Sequence, residues 1–155
     1  MEQSHRPRVF VDANVLFAGA AAPTEHGASL VILRMAEITL IDAVTSEQVI
    51  AEVERNLTAK LPQALSRFRL LVERCLQVVP DPSPGDLSKH IGAADPNDLP
   101  ILIAALRESC PWLVTFNVRH FEPGHPDVKI LRPGQFVLRV RDLLTNLALS
   151  SDDDD

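Results

Sequence analysis

The chain has 155 residues, 46% of them hydrophobic, and a formal net charge of −6; this length suits one domain that buries its own core without disulfide or metal staples. No apolar run approaches the roughly 18 residues of a membrane-spanning helix, and Cys75 and Cys110 are too few for a disulfide framework and lack metal-site spacing. Four of the 21 acidic residues form the terminal run Asp152 to Asp155, so the body is only mildly acidic and charge neither supports nor excludes a nucleic-acid partner.

MEQSHRPR at the N-terminus has no apolar segment behind its charges, so no secretory signal is expected, and free thiols fit a cytoplasmic protein. Residues 8–11 (RVFV) read as a buried strand ended by Asp12. That acid is either the cap of a short following helix or a reactive group at the end of a strand. After a Gly/Ala/Pro stretch over 18–27, GASLVILRMAE carries helical spacing, and ITLIDAV (38–44) reads as a second strand. Thr45 or Ser46 suits the N-cap of a helix through about Thr58.

Residues 61–75 predict another helix, with Pro62 tolerated in its first turn. LQVV (76–79) is a third strand, and PDPSPGDLS a flexible connection. A buried helix starts near Asp98 and is apolar almost all round over 99–106. WLVTF (112–116) and VKIL (128–131) are the fourth and fifth strands, and Pro133 opens a last helix. The domain spans residues 1–147, and 148–155 form an acidic, disordered tail. Short apolar strands alternating with helices predict an α/β fold with a parallel sheet covered on both faces.

Open parallel sheets bind ligands beyond the carboxyl ends of their strands, where strand order reverses. Asp12 ends the first strand, while Thr115 and Asn117 end the fourth. If those strands are neighbours, the three residues converge. Glu52 lies in the helix after the second strand, and Asp95 and Asp98 lie in AADPNDLP. Carboxylates gathered in one crevice repel one another. A hard cation, Mg²⁺ or Mn²⁺, compensates them, activates water and neutralises charge on a phosphodiester.

Each acid also has a plainer role. Asp12 and Asp98 suit helix caps, and Asp95-Pro96-Asn97 suits a turn. Val49, Ile50, Val53 and Leu57 form the apolar arc of their helix; Glu52 and Glu54 flank it equally, so periodicity does not choose between them.

Four segments, VFVDANVLFAG, TSEQVIAEVERN, DPNDLPILIAAL and WLVTFNVRHF, occur in that order within about Val9 to Leu144. Together they resemble the PIN domain, a family of metal-dependent ribonucleases that includes the VapC-like toxins of toxin–antitoxin pairs. The resemblance implies a three-layer α/β/α fold around a central parallel five-stranded sheet. It implies that Asp12, Glu52 and Asp98 are metal-binding acids, choosing Glu52 over Glu54. Asn117 then stands at a fourth position that is an aspartate in many members, and Thr115 positions the acidic cluster or its water. Asn14 becomes a hydrogen-bond partner of Asp12, and Asp95 an extra acid. Asparagine offers a carbonyl oxygen but no charge, so one bound Mg²⁺ or Mn²⁺ is the expected resting state.

The implied function is hydrolysis of RNA phosphodiester bonds by the toxin of a type II toxin–antitoxin system. Its partners would be RNA, a cognate antitoxin whose tail fills the crevice, and a second copy joined through helix faces. Arg119 and His120 are placed to grip RNA backbone; Lys89 and His90 lie in a loop of unassigned position. With no tyrosine and with Trp112 in the core, no stacking platform for bases is expected. Two alternatives within the family are a non-toxin ribonuclease of RNA processing and a catalytically weak module that binds RNA or protein, for which Asn117 is the support. A haloacid-dehalogenase-type phosphatase would need an aspartate two positions after Asp12, where Asn14 stands.

Overall fold

In the computed structural model, residues 6–21 and 27–152 are described; the N-terminal segment 1–5, residues 22–26 of the Gly/Ala/Pro stretch, and 153–155 of the aspartate run lie outside them. Val9, Phe10 and Val11 are fully buried, because branched and aromatic side chains fill both faces of a covered strand. They form β1 (Arg8–Val11), the centre of a five-stranded sheet. It pairs in parallel with β2 (Asp42–Ser46) on one side and with β4 (Trp112–Val114) on the other. The edges are β3 (Leu76–Val79), beside β2, and β5 (Lys129–Leu131), beside β4, both parallel.

Helices supply the crossovers that parallel strands require. They are α1 (Ala13–Ala21), α2 (Ala28–Glu37), α3 (Glu47–Lys60), α4 (Leu65–Cys75), α5 (Pro84–Ser88), α6 (Leu99–Arg107) and α7 (Pro133–Asp152). The first four pack on one another with α7 against α2, while α6, beside α5, packs on β2 and β4. The result is the three-layer α/β/α arrangement. A side chain at Gly19 would come within 2.7 Å of the Leu33 Cδ1 atom, so this glycine lets α1 and α2 approach closely. Residues Leu99 and Ile101 to Ala105 of α6 are all buried, as its unbroken apolar sequence predicts.

Several boundaries differ from expectation, each for a local reason. Strand two forms at 42–46 rather than 38–44, because the end of α2 captures the chain first. Ile38 N–H donates to the Arg34 carbonyl and Leu40 N–H to that of Met35, with Thr39 at φ 64° between them. Thr45 is a strand residue whose hydroxyl donates to the Val11 carbonyl at 2.9 Å. Ser46 precedes α3 without a side-chain capping bond; Asp81 instead accepts from the Gln48 N–H at 2.9 Å. Residues 62–64 form a 3₁₀ turn before α4. PDPSPGDLS is not a plain flexible connection, since Ser83 and Asp86 close a capping box on α5. β4 ends at Val114, short of 116. Residues 148–152, expected in a disordered tail, continue α7, LAL being good helix formers.

The topology fixes where chemistry can occur. The chain steps outward from β1 to β2 to β3, then returns to the far side of β1 as β4 and β5. Strand order therefore reverses between β1 and β4, and Asp12 and Thr115 are the residues that follow those two strands.

Candidate functional site

Asp12 leaves β1 and leads into α1, at the end of a strand and the start of a helix at once. Its backbone N–H donates to the Val114 carbonyl at 3.0 Å, and its own carbonyl accepts from Val15 and Leu16. One carboxylate oxygen, Oδ1, accepts from the Ala13 N–H at 2.7 Å, and the other, Oδ2, from the Thr115 hydroxyl at 2.8 Å. Each oxygen still has a lone pair for a further partner. The residue is only 5% exposed. Burial pushes its carboxyl from 3.8 up to about 6, against the two hydrogen bonds, and the charges of Asp98 and Glu52 push the same way. The protein thus holds an acid whose ionised form is undercompensated, beside two more acids.

Thr115, fully buried, is the hub of the strand ends. Besides donating to Asp12, its hydroxyl oxygen accepts from the Asn117 N–H at 3.0 Å and from Asn14 Nδ2 at 3.4 Å. Asn14 is linked to Asp12 through this hydroxyl. Its Oδ1 accepts from the Phe116 N–H at 3.2 Å. An amide one helical residue beyond Ala13 faces the neighbouring strand end, so it ties β4 to α1.

The α3 pair separates cleanly. Glu54 is turned to Arg69, at 3.2 Å, whereas Glu52 is the residue whose charge acts on Asp12. Asp98 precedes α6 but makes no side-chain capping bond. The reason is readable: Leu99 N–H donates to Asp95, Pro100 has no N–H, and Ile101 N–H takes the Asp98 carbonyl. Its carboxylate is left free to meet His120 Nδ1, at 3.2 Å. Burial raises the Asp98 carboxyl, His120 opposes that shift, and Asp95 adds to it. One donor atom each from Asp95, Asp98 and His120 lie within 4.8 Å of one another. Asn117 opens the 3₁₀ turn Val118–Phe121; its side chain is exposed and makes no hydrogen bond among the described residues. The carboxylate oxygens of Asp95 and Asp98 fit Mg²⁺ or Mn²⁺.

Phe116, 42% exposed, is a feature sequence reading missed. It stands between Thr115 and Asn117 and borders a cavity of about 520 Å³ that also meets Ala18, Leu30 and Arg132. Arg132 donates from Nη1 to the Phe116 carbonyl at 3.0 Å, placing a second cation near the crevice besides the exposed Arg119. His90 packs edge-on against His125, ring centroids 5.7 Å apart, which puts the Lys89–His90 loop beside the segment that follows His120.

A sequence model described as PIN domain matches residues 8–119, a span that takes in Asp12, Glu52, Asp98, Thr115 and Asn117. Eleven chains of solved structures also match. One belongs to the crystal structure of VapBC2 from Rickettsia felis bound to a DNA fragment from their promoter; identity is 17%, the TM-score 0.61, and the match covers 81% of this chain and 98% of that one. No curated protein matches. Among the described residues no helix is long and apolar enough to cross a membrane.

Proposed function

Because the chain belongs to the PIN domain family, we propose that it is a divalent-metal-dependent endoribonuclease and the toxin of a type II toxin–antitoxin pair. What supports the reading is Asp12, buried at the reversal of strand order, with its carboxyl pushed up to about 6 and the charges of Asp98 and Glu52 acting on it. Asp12, Glu52 and Asp98 would hold Mg²⁺ or Mn²⁺. When bound, such an ion supplies an activated water and neutralises charge developing on the phosphodiester.

The chain's own groups do the positioning. Thr115 fixes the rotamer of Asp12 through its 2.8 Å bond and is itself fixed by Asn14 and the Asn117 N–H. Arg119 and Arg132 hold phosphate oxygens of the RNA backbone by charge-assisted hydrogen bonds. Exposed Phe116 offers a face on which a base stacks, a sequence-tolerant contact.

The VapBC2 neighbour, described with promoter DNA, supports an antitoxin as partner; a cytoplasmic setting belongs to the same proposal. So does homodimerisation, and exposed Leu143, Leu144 and Leu147 on α7 offer it an apolar face. Asn117 supports a second reading, a PIN module that binds RNA or protein with little or no cutting.

The test is incubation of the purified chain with mixed single-stranded and structured RNA in Mn²⁺, Mg²⁺ or EDTA. Asp12→Asn and Asp98→Asn run beside it once circular dichroism confirms their folding. Metal-dependent cutting lost in both variants is the expected result. Metal binding without cutting favours the second reading, and a folded wild type that neither cuts nor binds metal sinks both.

A further inference from the structure

We propose that His120 is a metal ligand of this chain, acting with Asp98 and Asp95, and that it biases the centre toward manganese over magnesium. The inference rests on the reading above, that the crevice holds a divalent ion, and adds to it a nitrogen donor and a selectivity.

Geometry comes first. His120 Nδ1 lies 3.2 Å from Asp98 Oδ2, and donor atoms of His120, Asp98 and Asp95 are mutually within 4.8 Å. In an octahedral shell with ligands about 2.1 Å from the ion, neighbouring ligands stand ~3 Å apart and opposite ones ~4.2 Å. The 3.2 Å between His120 and Asp98 is the spacing of neighbouring ligands on one ion, and with all three donors within 4.8 Å a small adjustment of rotamers brings Asp95 into the same shell.

The three donors also arrive on interlocked backbone. Asp95 N–H donates to the His120 carbonyl at 2.8 Å, and the Asp95 carbonyl accepts from Asp98 and Leu99. His120 N–H donates to the Asn117 carbonyl at 3.0 Å, and the next residue, Phe121, is 1% exposed and anchors the turn in the core. The His120 side chain is 50% exposed, so the ring is not there to fill the interior. Its one polar contact among the described residues is Asp98.

The donor chemistry sets the selectivity. Asn117 adds no charge, and its amide is not turned to the acids by any hydrogen bond. An imidazole in the shell suits first-row transition ions, while Mg²⁺ keeps to oxygen ligands and retained waters. Removing the ring therefore costs Mn²⁺ affinity more than Mg²⁺ affinity. If His120 instead serves Asp98 only as a hydrogen-bond partner, both ions respond alike.

The experiment uses the full chain loaded with Mn²⁺, read by pulsed electron paramagnetic resonance, with calorimetric titration of Mn²⁺ and of Mg²⁺. Wild type is compared with His120→Ala, His120→Gln and Asp12→Asn, each checked by circular dichroism. Expected in wild type is a nitrogen hyperfine coupling of a directly bound imidazole, absent in both His120 variants. Those variants weaken Mn²⁺ by at least about tenfold, since even outer partners of ligands cost that much. Their Mg²⁺ affinity stays within about twofold, because oxygen donors remain. Wild-type Mn²⁺ binding with no nitrogen coupling, or with affinity unchanged in both His120 variants, overturns the ligand assignment and leaves the acidic centre standing. Equal losses of both ions overturn the selectivity. Failure of wild type to bind either ion overturns the underlying reading, and with it this one; loss of both ions in Asp12→Asn alone marks the acids as the centre without His120.

Discussion

The Thr115 hydroxyl donates to Asp12 Oδ2 at 2.8 Å, joining the residues that follow the two neighbouring strands β4 and β1. Both side chains are buried, so this bond orients a carboxylate with little help from solvent. Replacing Thr115 with valine keeps the shape and removes the donor. A hydrogen bond to a charged group contributes roughly 1.5–3 kcal/mol, and urea unfolding at neutral pH should report a loss in that range. Mn²⁺ affinity falls with it, and Thr115→Ser restores both. Unchanged Mn²⁺ affinity in Thr115→Val would remove the positioning role.

Asp12 also sets a pH dependence. Its carboxyl is raised to about 6 in the fold from an ordinary 3.8, so the folded state binds the proton more tightly than the unfolded state. Its contribution to stability is full below about pH 4 and is lost as pH rises through about 6, amounting to at most ~3 kcal/mol. Metal-free Asp12→Asn should therefore be more stable than wild type at pH 7.5, with the gap closing toward pH 4. Thermal unfolding in EDTA across that range checks it; a gap of opposite sign at pH 7.5 contradicts it.

The two glutamates of α3 make opposite predictions. Glu52→Gln removes a charge that acts on Asp12, so it lowers metal affinity and RNA cleavage. Glu54→Gln breaks a partly exposed pair with Arg69, costs at most ~1 kcal/mol of stability and leaves cleavage unchanged. Cleavage rates and chemical denaturation of both variants separate the roles.

Phe116 predicts an effect on RNA without an effect on metal. Stacking on an aromatic ring contributes roughly 1–3 kcal/mol per base, so Phe116→Ala should weaken single-stranded RNA binding by that amount, while Phe116→Trp retains it. Fluorescence anisotropy with labelled RNA measures this, and Mn²⁺ titration serves as the control. Equal RNA affinity in Phe116→Ala removes the platform.

The central strand was legible because Val9, Phe10 and Val11 are apolar without interruption and end abruptly at an acid. The buried helix α6 was legible for the same reason. ITLIDAV misled because its first residues are as apolar as a strand, and only the backbone captures at the end of α2 displace it. Asp98 has the residue type of a cap, yet Pro100, two positions on, already removes one of the donors a cap would serve. Glu52 and Glu54 were inseparable by periodicity; Arg69, fifteen residues away, separates them. The contact between His120 and Asp98, and that between Arg132 and Phe116, depends on how segments distant in the chain come together, which no local pattern contains.

The most direct test of the metal centre is an anomalous difference map from crystals of the chain grown with Mn²⁺. The expected result is a strong peak in the crevice beyond β1 and β4, liganded by Asp12 or Asp98. A well-occupied manganese elsewhere, with that crevice holding only water while the same preparation cuts RNA, would contradict it.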